Sequence, residues 1–182
     1  MKKTKMLFVM ILSLLAGEAA YAQKFASLDP SPADIAYLRE NGRRSTAVAK
    51  VIYGRPQKKG RTMLGGTEKF GTIWRLGANE TTEIKLFRDV TFGDKLVKAG
   101  TYSLYAIPNE KEWTIIFNSK LDTWGHYEYD ETKDVVRFNV PATKSDTEIE
   151  ALSMVFDDAA GTGASNLWIG WENTLVKIPV KF

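Results

Sequence analysis

From Ser45 to the C-terminus, apolar and polar residues alternate with a period of two, the spacing of strands with one face in a core and one in water. The last stretch is the clearest: Val176, Ile178, Val180 and Phe182 alternate with Lys177, Pro179 and Lys181. Ile84 and Leu86 stand opposite Glu83 and Lys85, and Trp113, Ile115 and Phe117 opposite Thr114 and Asn118. Val136, Phe138 and Val140 oppose Arg137 and Asn139; Leu152, Met154 and Phe156 oppose Ser153 and Asp157; Leu167, Ile169 and Trp171 form a further row. Pro179 has no N–H to give a ladder, so it predicts an edge position for the final strand. Turn signals divide the runs at Gly93-Asp94, Pro108-Asn109, Asp130 to Lys133, Gly161-Thr162-Gly163 and Glu172-Asn173.

Upstream the pattern differs. Ser31-Pro32-Ala33-Asp34 places a serine before a proline and an acid shortly after, which predicts a short helix ending at Asn41-Gly42 with Ile35 and Leu38 turned inward. About eight to ten strands and one short N-terminal helix make an all-β protein, an antiparallel β-sandwich or jelly-roll-like barrel over residues 31–182. No repeat or second domain boundary interrupts it, and a chain of 182 residues suits one domain.

The first residues follow another logic. Lys2, Lys3 and Lys5 precede an apolar run from Met6 to Ala16, broken only by Ser13. Spanning a bilayer takes about 20 apolar residues, so the run is short for an anchor. With Ala20-Tyr21-Ala22 supplying small residues at a cleavage site, residues 1–22 are expected to be a signal peptide and 23–30 a short tether. The product would be periplasmic or secreted, with no membrane span after cleavage. Three lysines and Glu18 leave with the leader, taking +2 of the chain's +3. A nearly neutral domain lacks the concentrated basic footprint of nucleic-acid binding. No cysteine and a single histidine exclude disulfides, thiol nucleophiles, iron–sulfur clusters and a two-histidine metal site. No cofactor or metal is expected, and no nucleophile elbow, phosphate loop or dinucleotide fingerprint is present.

Two segments do not fit plain strands: Tyr53-Gly54-Arg55-Pro56-Gln57-Lys58-Lys59-Gly60-Arg61, basic and loop-like, and Phe70 to Glu80, which reads FGTIWRLGANE. These segments, followed by VKAGTYSLYAIP, WTIIFN, WGHYEYD and DVVRFNVP, resemble in order the exported domain-of-unknown-function family DUF2911 over about Ser31 to Phe182. The resemblance implies an exported all-β domain of Gram-negative bacteria with no established activity. Its pattern covers Arg55, Pro56, Gly60, Arg61, Trp74, Arg75, Gly77, Ala78, Asn79 and Glu80. His126 departs from it, because the family usually has a small residue after Trp124-Gly125.

The candidate chemistry lies in the same two segments. Gly77 admits backbone angles closed to other residues and would turn the chain so that its neighbours converge. Arg75 brings a fixed fork of donors, Asn79 a donor and an acceptor, Glu80 acceptors, and Trp74 a flat apolar face. Such a set suits a glycan, a peptide end or a carboxylate. Against it stands a structural role, with Trp74 in the core and Arg75 paired to Glu80. Arg55, Lys58, Lys59 and Arg61 suit an anion or a solvated turn. The candidate ligand-binding residues are therefore Arg55, Arg61, Trp74, Arg75, Asn79 and Glu80, with no catalytic residue assigned. His126 stands alone among aromatic neighbours, as compatible with packing as with base chemistry. The carboxylates Asp130-Glu131, Asp134 and Asp157-Asp158 fall in turns and strand ends. The expected function is non-catalytic binding of a polar small molecule or glycan. A polysaccharide hydrolase using Glu80 and a second carboxylate, or a protein-interaction module, are the alternatives.

Overall fold

The computed structural model describes residues 23–182, so the expected leader lies outside the described residues. Among the described residues nine strands follow in chain order: β1 (Ala33–Arg39), β2 (Ala47–Gly54), β3 (Thr82–Leu86), β4 (Val90–Phe92), β5 (Lys95–Val97), β6 (Gly100–Ile107), β7 (Glu112–Asn118), β8 (Asp134–Phe156) and β9 (Ala164–Lys181). They form one open antiparallel sheet in the order β1-β2-β3-β6-β7-β8-β9-β4-β5. A 3-10 turn, Glu131–Lys133, leads into β8, with the Asp130 side chain accepting from Thr132 N–H.

The helix expected after Ser31 is instead β1. Its side chains alternate, with Ala36 and Leu38 buried and Ile35 and Tyr37 exposed, and it pairs with β2 from Ala33↔Gly54 to Arg39↔Ala47. Period two decides against the helix: a helical face would have joined Ile35 to Leu38, but Ile35 points outward. The capping signal at Ser31-Pro32 serves a strand entrance, where Pro32 carbonyl accepts from Arg55 N–H at 3.0 Å.

The rows read from the sequence are the inward faces. Ile84, Leu86, Trp113, Ile115, Phe117, Val140, Leu152, Met154, Leu167, Ile169, Trp171, Val176, Ile178 and Val180 all lie in one apolar cluster. One expected turn, Glu172-Asn173, is absent because β9 is long, and β8 is long enough to carry two of the rows. The first part of β8 pairs with β7 as far as Glu112↔Pro141, and from Ala142↔Val176 onward it pairs with β9. Glu172-Asn173 is accordingly an irregularity within β9, not a turn; Glu172 has φ +53° and its carboxylate accepts from Met63 and Leu64 N–H at 2.8 and 2.9 Å. Nor is β9 an edge, since it lies between β8 and β4. Pro179 is tolerated because it lies beyond the last β8 pair at Val176, and its carbonyl accepts from Gly93 N–H.

The sheet curls strongly. Phe92 of β4 meets Phe117 of β7 at 4.9 Å between ring centroids although β8 and β9 separate those strands in the order. Beyond β2 the chain continues beside the second half of β8, where Leu152 N–H donates to Pro56 and Lys58 N–H to Glu150, both at 2.9 Å.

Candidate functional site

The segment Trp74–Thr81 lies across this curl. Trp74 makes a two-way backbone bridge with Ala106 of β6. Its ring, 1 % exposed, stacks on Trp171 at 5.6 Å and meets Trp113 edge-on at 5.8 Å. Its Nε1 donates to Gly77 carbonyl at 3.2 Å. Trp74 is thus a core residue whose polar atom is satisfied, as a buried indole requires. Gly77 does not carry the unusual backbone angles; Leu76 and Asn79 do, at φ +54° and +62°. Gly77 is instead a close-approach residue, because a Cβ there would stand 2.8 Å from Thr82 Oγ1 and 3.2 Å from Gly54 carbonyl.

The two irregular segments meet through backbone at Gly54 and Gly77, but their arginines diverge. Arg55 donates to Leu152 carbonyl at 3.1 Å, Asp34 Oδ2 at 3.0 Å and Ser153 Oγ at 2.9 Å, so its guanidinium joins β1, β2 and β8. Arg61 folds onto its own loop, donating to Lys58 and Gln57 carbonyls at 2.9 and 2.8 Å. Lys58 pairs with Glu148. Arg75 makes no side-chain hydrogen bond or ion pair among the described residues, and its buried Nε is left without a partner.

Asn79 and Glu80 do reach a hollow, a groove of about 940 Å³. Its floor is the outer face of three neighbouring strands, where Ile52, Glu83 and Ser103 lie in register across β2, β3 and β6. One wall is the approach to β1, with Asp29, Ser31 and Ala33. The other joins Asn79–Thr81 to Asp122–Trp124. A short ladder fixes that wall: Glu80 bridges Trp124, Thr81 N–H donates to Thr123 carbonyl and Gly125 N–H to Asn79 carbonyl. The Thr81 hydroxyl adds a bond to Gly125 carbonyl at 2.6 Å.

The lining carries Asp29, Glu80, Glu83 and Asp122, three hydroxyl residues on the walls and Ser103 on the floor, and among the described residues no lysine or arginine. The carboxylates of Glu80, Glu83 and Asp122 make no hydrogen bond among the described residues. At the rim Trp124 is 57 % exposed and Tyr127 74 %; their rings stack at 5.9 Å, with the Arg75 guanidinium 6.0 Å from the Trp124 ring. The groove offers free acceptors beside a flat apolar face, and its body repels anions.

Of the six residues chosen from the sequence, then, Asn79 and Glu80 line the groove, Arg75 stands beside its rim, Trp74 is in the core, and Arg55 and Arg61 are engaged elsewhere. Sequence reasoning missed Asp29, Glu83, Asp122 and Trp124. Glu83 was visible only as a wet-face residue, and Trp124 only as part of an aromatic run.

The fold and groove together define an all-β domain with an acidic, aromatic-rimmed surface cleft. The model of the family described as Protein of unknown function (DUF2911) matches residues 38–180, and the chain belongs to that family. Neither a curated protein nor a solved structure matches it.

Proposed function

We propose that this is an exported domain that binds a polyhydroxylated ligand, a glycan, in the groove between β1 and the Asn79–Thr81 wall, without catalysing a reaction. The supporting observation is the pairing of three uncommitted carboxylates with the exposed Trp124 ring at one cleft. Sugar hydroxyls donate to carboxylates, while the apolar face of a pyranose covers an indole. Export rests on the lysines at 2, 3 and 5, the apolar run and the Ala20-Tyr21-Ala22 site; a mature N-terminus at Gln23, read by mass spectrometry, is the expected product. The curled sheet, with β4 and β7 aromatics in contact, supports a sandwich-like arrangement in which the β4–β5 end folds over the middle of the sheet.

Isothermal titration with neutral oligosaccharides tests the binding. Trp124→Ala and Glu80→Gln are each expected to weaken it by about tenfold or more, equivalent to about 1.4 kcal/mol. Both side chains are exposed, so the melting temperature should hardly move. Unchanged affinity in both variants, or no binding across the panel, would discard this function.

A further inference from the structure

Only three buried side-chain atoms among the described residues lack a hydrogen-bond partner: Trp113 Nε1, Arg75 Nε and His126 Nδ1. Trp113 belongs to the core, and the other two share one corner of the surface. His126 follows Trp124 on the groove wall, its imidazole stacks on Tyr127 at 5.1 Å, and Tyr127 stacks on Trp124, beside which the Arg75 guanidinium lies. Leaving a partly buried guanidinium and an imidazole nitrogen unpaired is costly, and native structures seldom do so twice in one place without a reason.

We infer that Arg75 and His126 form an anion site at the end of the groove, which takes the carboxylate of a sugar acid against the Trp124–Tyr127 wall. The proposal deepens the glycan reading and rests on it. A guanidinium presents two parallel donors that match a carboxylate. Burial and the Arg75 charge hold the His126 pKa below its ordinary value, so the imidazole is neutral near pH 7 and offers one N–H, not a second charge. Glu68 also lies within electrostatic reach of Arg75 and subtracts from the local charge when ionised. One net positive charge or less balances a carboxylate but undercompensates a phosphate dianion. The acids at Asp29, Glu80, Glu83 and Asp122 confine the anion to this end and leave the groove body to neutral rings.

His126 is the chain's one histidine, so its imidazole resonances are unambiguous by NMR. The test titrates the purified protein at constant pH with glucuronate and, separately, with glucose. Glucuronate should move the His126 signals saturably, and a pH titration repeated with glucuronate at saturation should show the imidazole pKa raised, because a bound anion favours the imidazolium. Glucose should leave them in place. Arg75→Gln should abolish the glucuronate response, Arg75→Lys should weaken it about tenfold, and Glu68→Gln should strengthen it. Neither arginine variant removes a hydrogen bond seen in the structure, and circular dichroism confirms their fold. Still His126 signals under glucuronate, equal responses to both sugars, or a full response in Arg75→Gln would each overturn the site. The groove reading fails separately, through the Trp124→Ala and Glu80→Gln affinities for neutral oligosaccharides.

Discussion

His126 and Glu68 are drawn away from their ordinary titration in opposite directions, each mainly by burial. Burial raises the Glu68 carboxyl above its usual range and Arg75 only partly draws it back; burial and then Arg75 lower the His126 imidazole. The two have opposite linkage to stability. Glu68 folds more readily protonated, so its contribution is complete below the unfolded value of 4.5 and is lost as pH rises through the raised folded value. His126 folds more readily neutral, so its contribution is complete above 6.5 and is lost as pH falls through the lowered folded value. Urea midpoints measured from pH 4 to 8 should therefore separate two variants. Glu68→Gln should remove part of the decline as pH rises from the acid side, and His126→Gln part of the decline on acidification below about 6.5. Midpoint profiles parallel to the parent's in both variants would show that neither group is held as the structure places it.

At the level of the elements, one arginine holds together three strands that the chain brings from far apart. Arg55 follows β2 directly, and its guanidinium reaches Asp34 in β1 and both Ser153 and the Leu152 carbonyl in β8. Tyr53 reinforces the junction, its hydroxyl accepting from Met154 N–H at 2.9 Å. Arg55→Ala removes three donors and leaves Asp34 without its ion pair. The half-exposed setting of the pair limits the loss to about 1–2 kcal/mol in chemical denaturation. Arg75→Gln, which breaks no bond in the structure, should stay within about 0.5 kcal/mol. Equal losses would mean that Arg55 is not the clamp described. The contrast also shows where sequence reading stops. Strand faces from Ile84 to Val180 were legible because burial on one side of a pleat leaves a local period of two. β1 was not, because Ser31-Pro32 carries a helix-start signal, while the evidence against a helix lay in which of Ile35, Ala36 and Leu38 the partner strand would cover. Arg55 and Arg75 look alike in the sequence; their difference lies in residues about a hundred positions away. Asn79 and Glu80 could be picked out, but the groove they line has its floor on β2, β3 and β6, and no local pattern joins those strands.

Across the whole molecule, the long strands β8 and β9 decide how the protein should come apart. An open sheet with two free ends could melt in sections, beginning at the β4–β5 hairpin and the β1 edge. Three features oppose that. β8 serves as the partner of β7 in its first part and of β9 in its second, so neither ladder can be lost without disturbing the same strand. Trp74, held to β6, stacks on Trp171 in β9 and touches Trp113 in β7, which puts one aromatic contact across both ladders. Pro56–Lys58 hydrogen-bonds along β8 at Glu150 and Leu152, tying the β2 end of the sheet back to its other half. With a single apolar cluster drawing on all of these, unfolding should be one cooperative transition. Far-ultraviolet dichroism follows the ladders, and tryptophan fluorescence measured in a background with Trp124 and Trp168 replaced by Phe follows the Trp74–Trp113–Trp171 contact; their denaturant midpoints should coincide. Trp171→Phe loses the stacked indole and should lower both midpoints together. If fluorescence were lost at lower denaturant than the dichroism, the tryptophan contact would be a local ornament of the sheet, and the two ladders would be held by β8 alone.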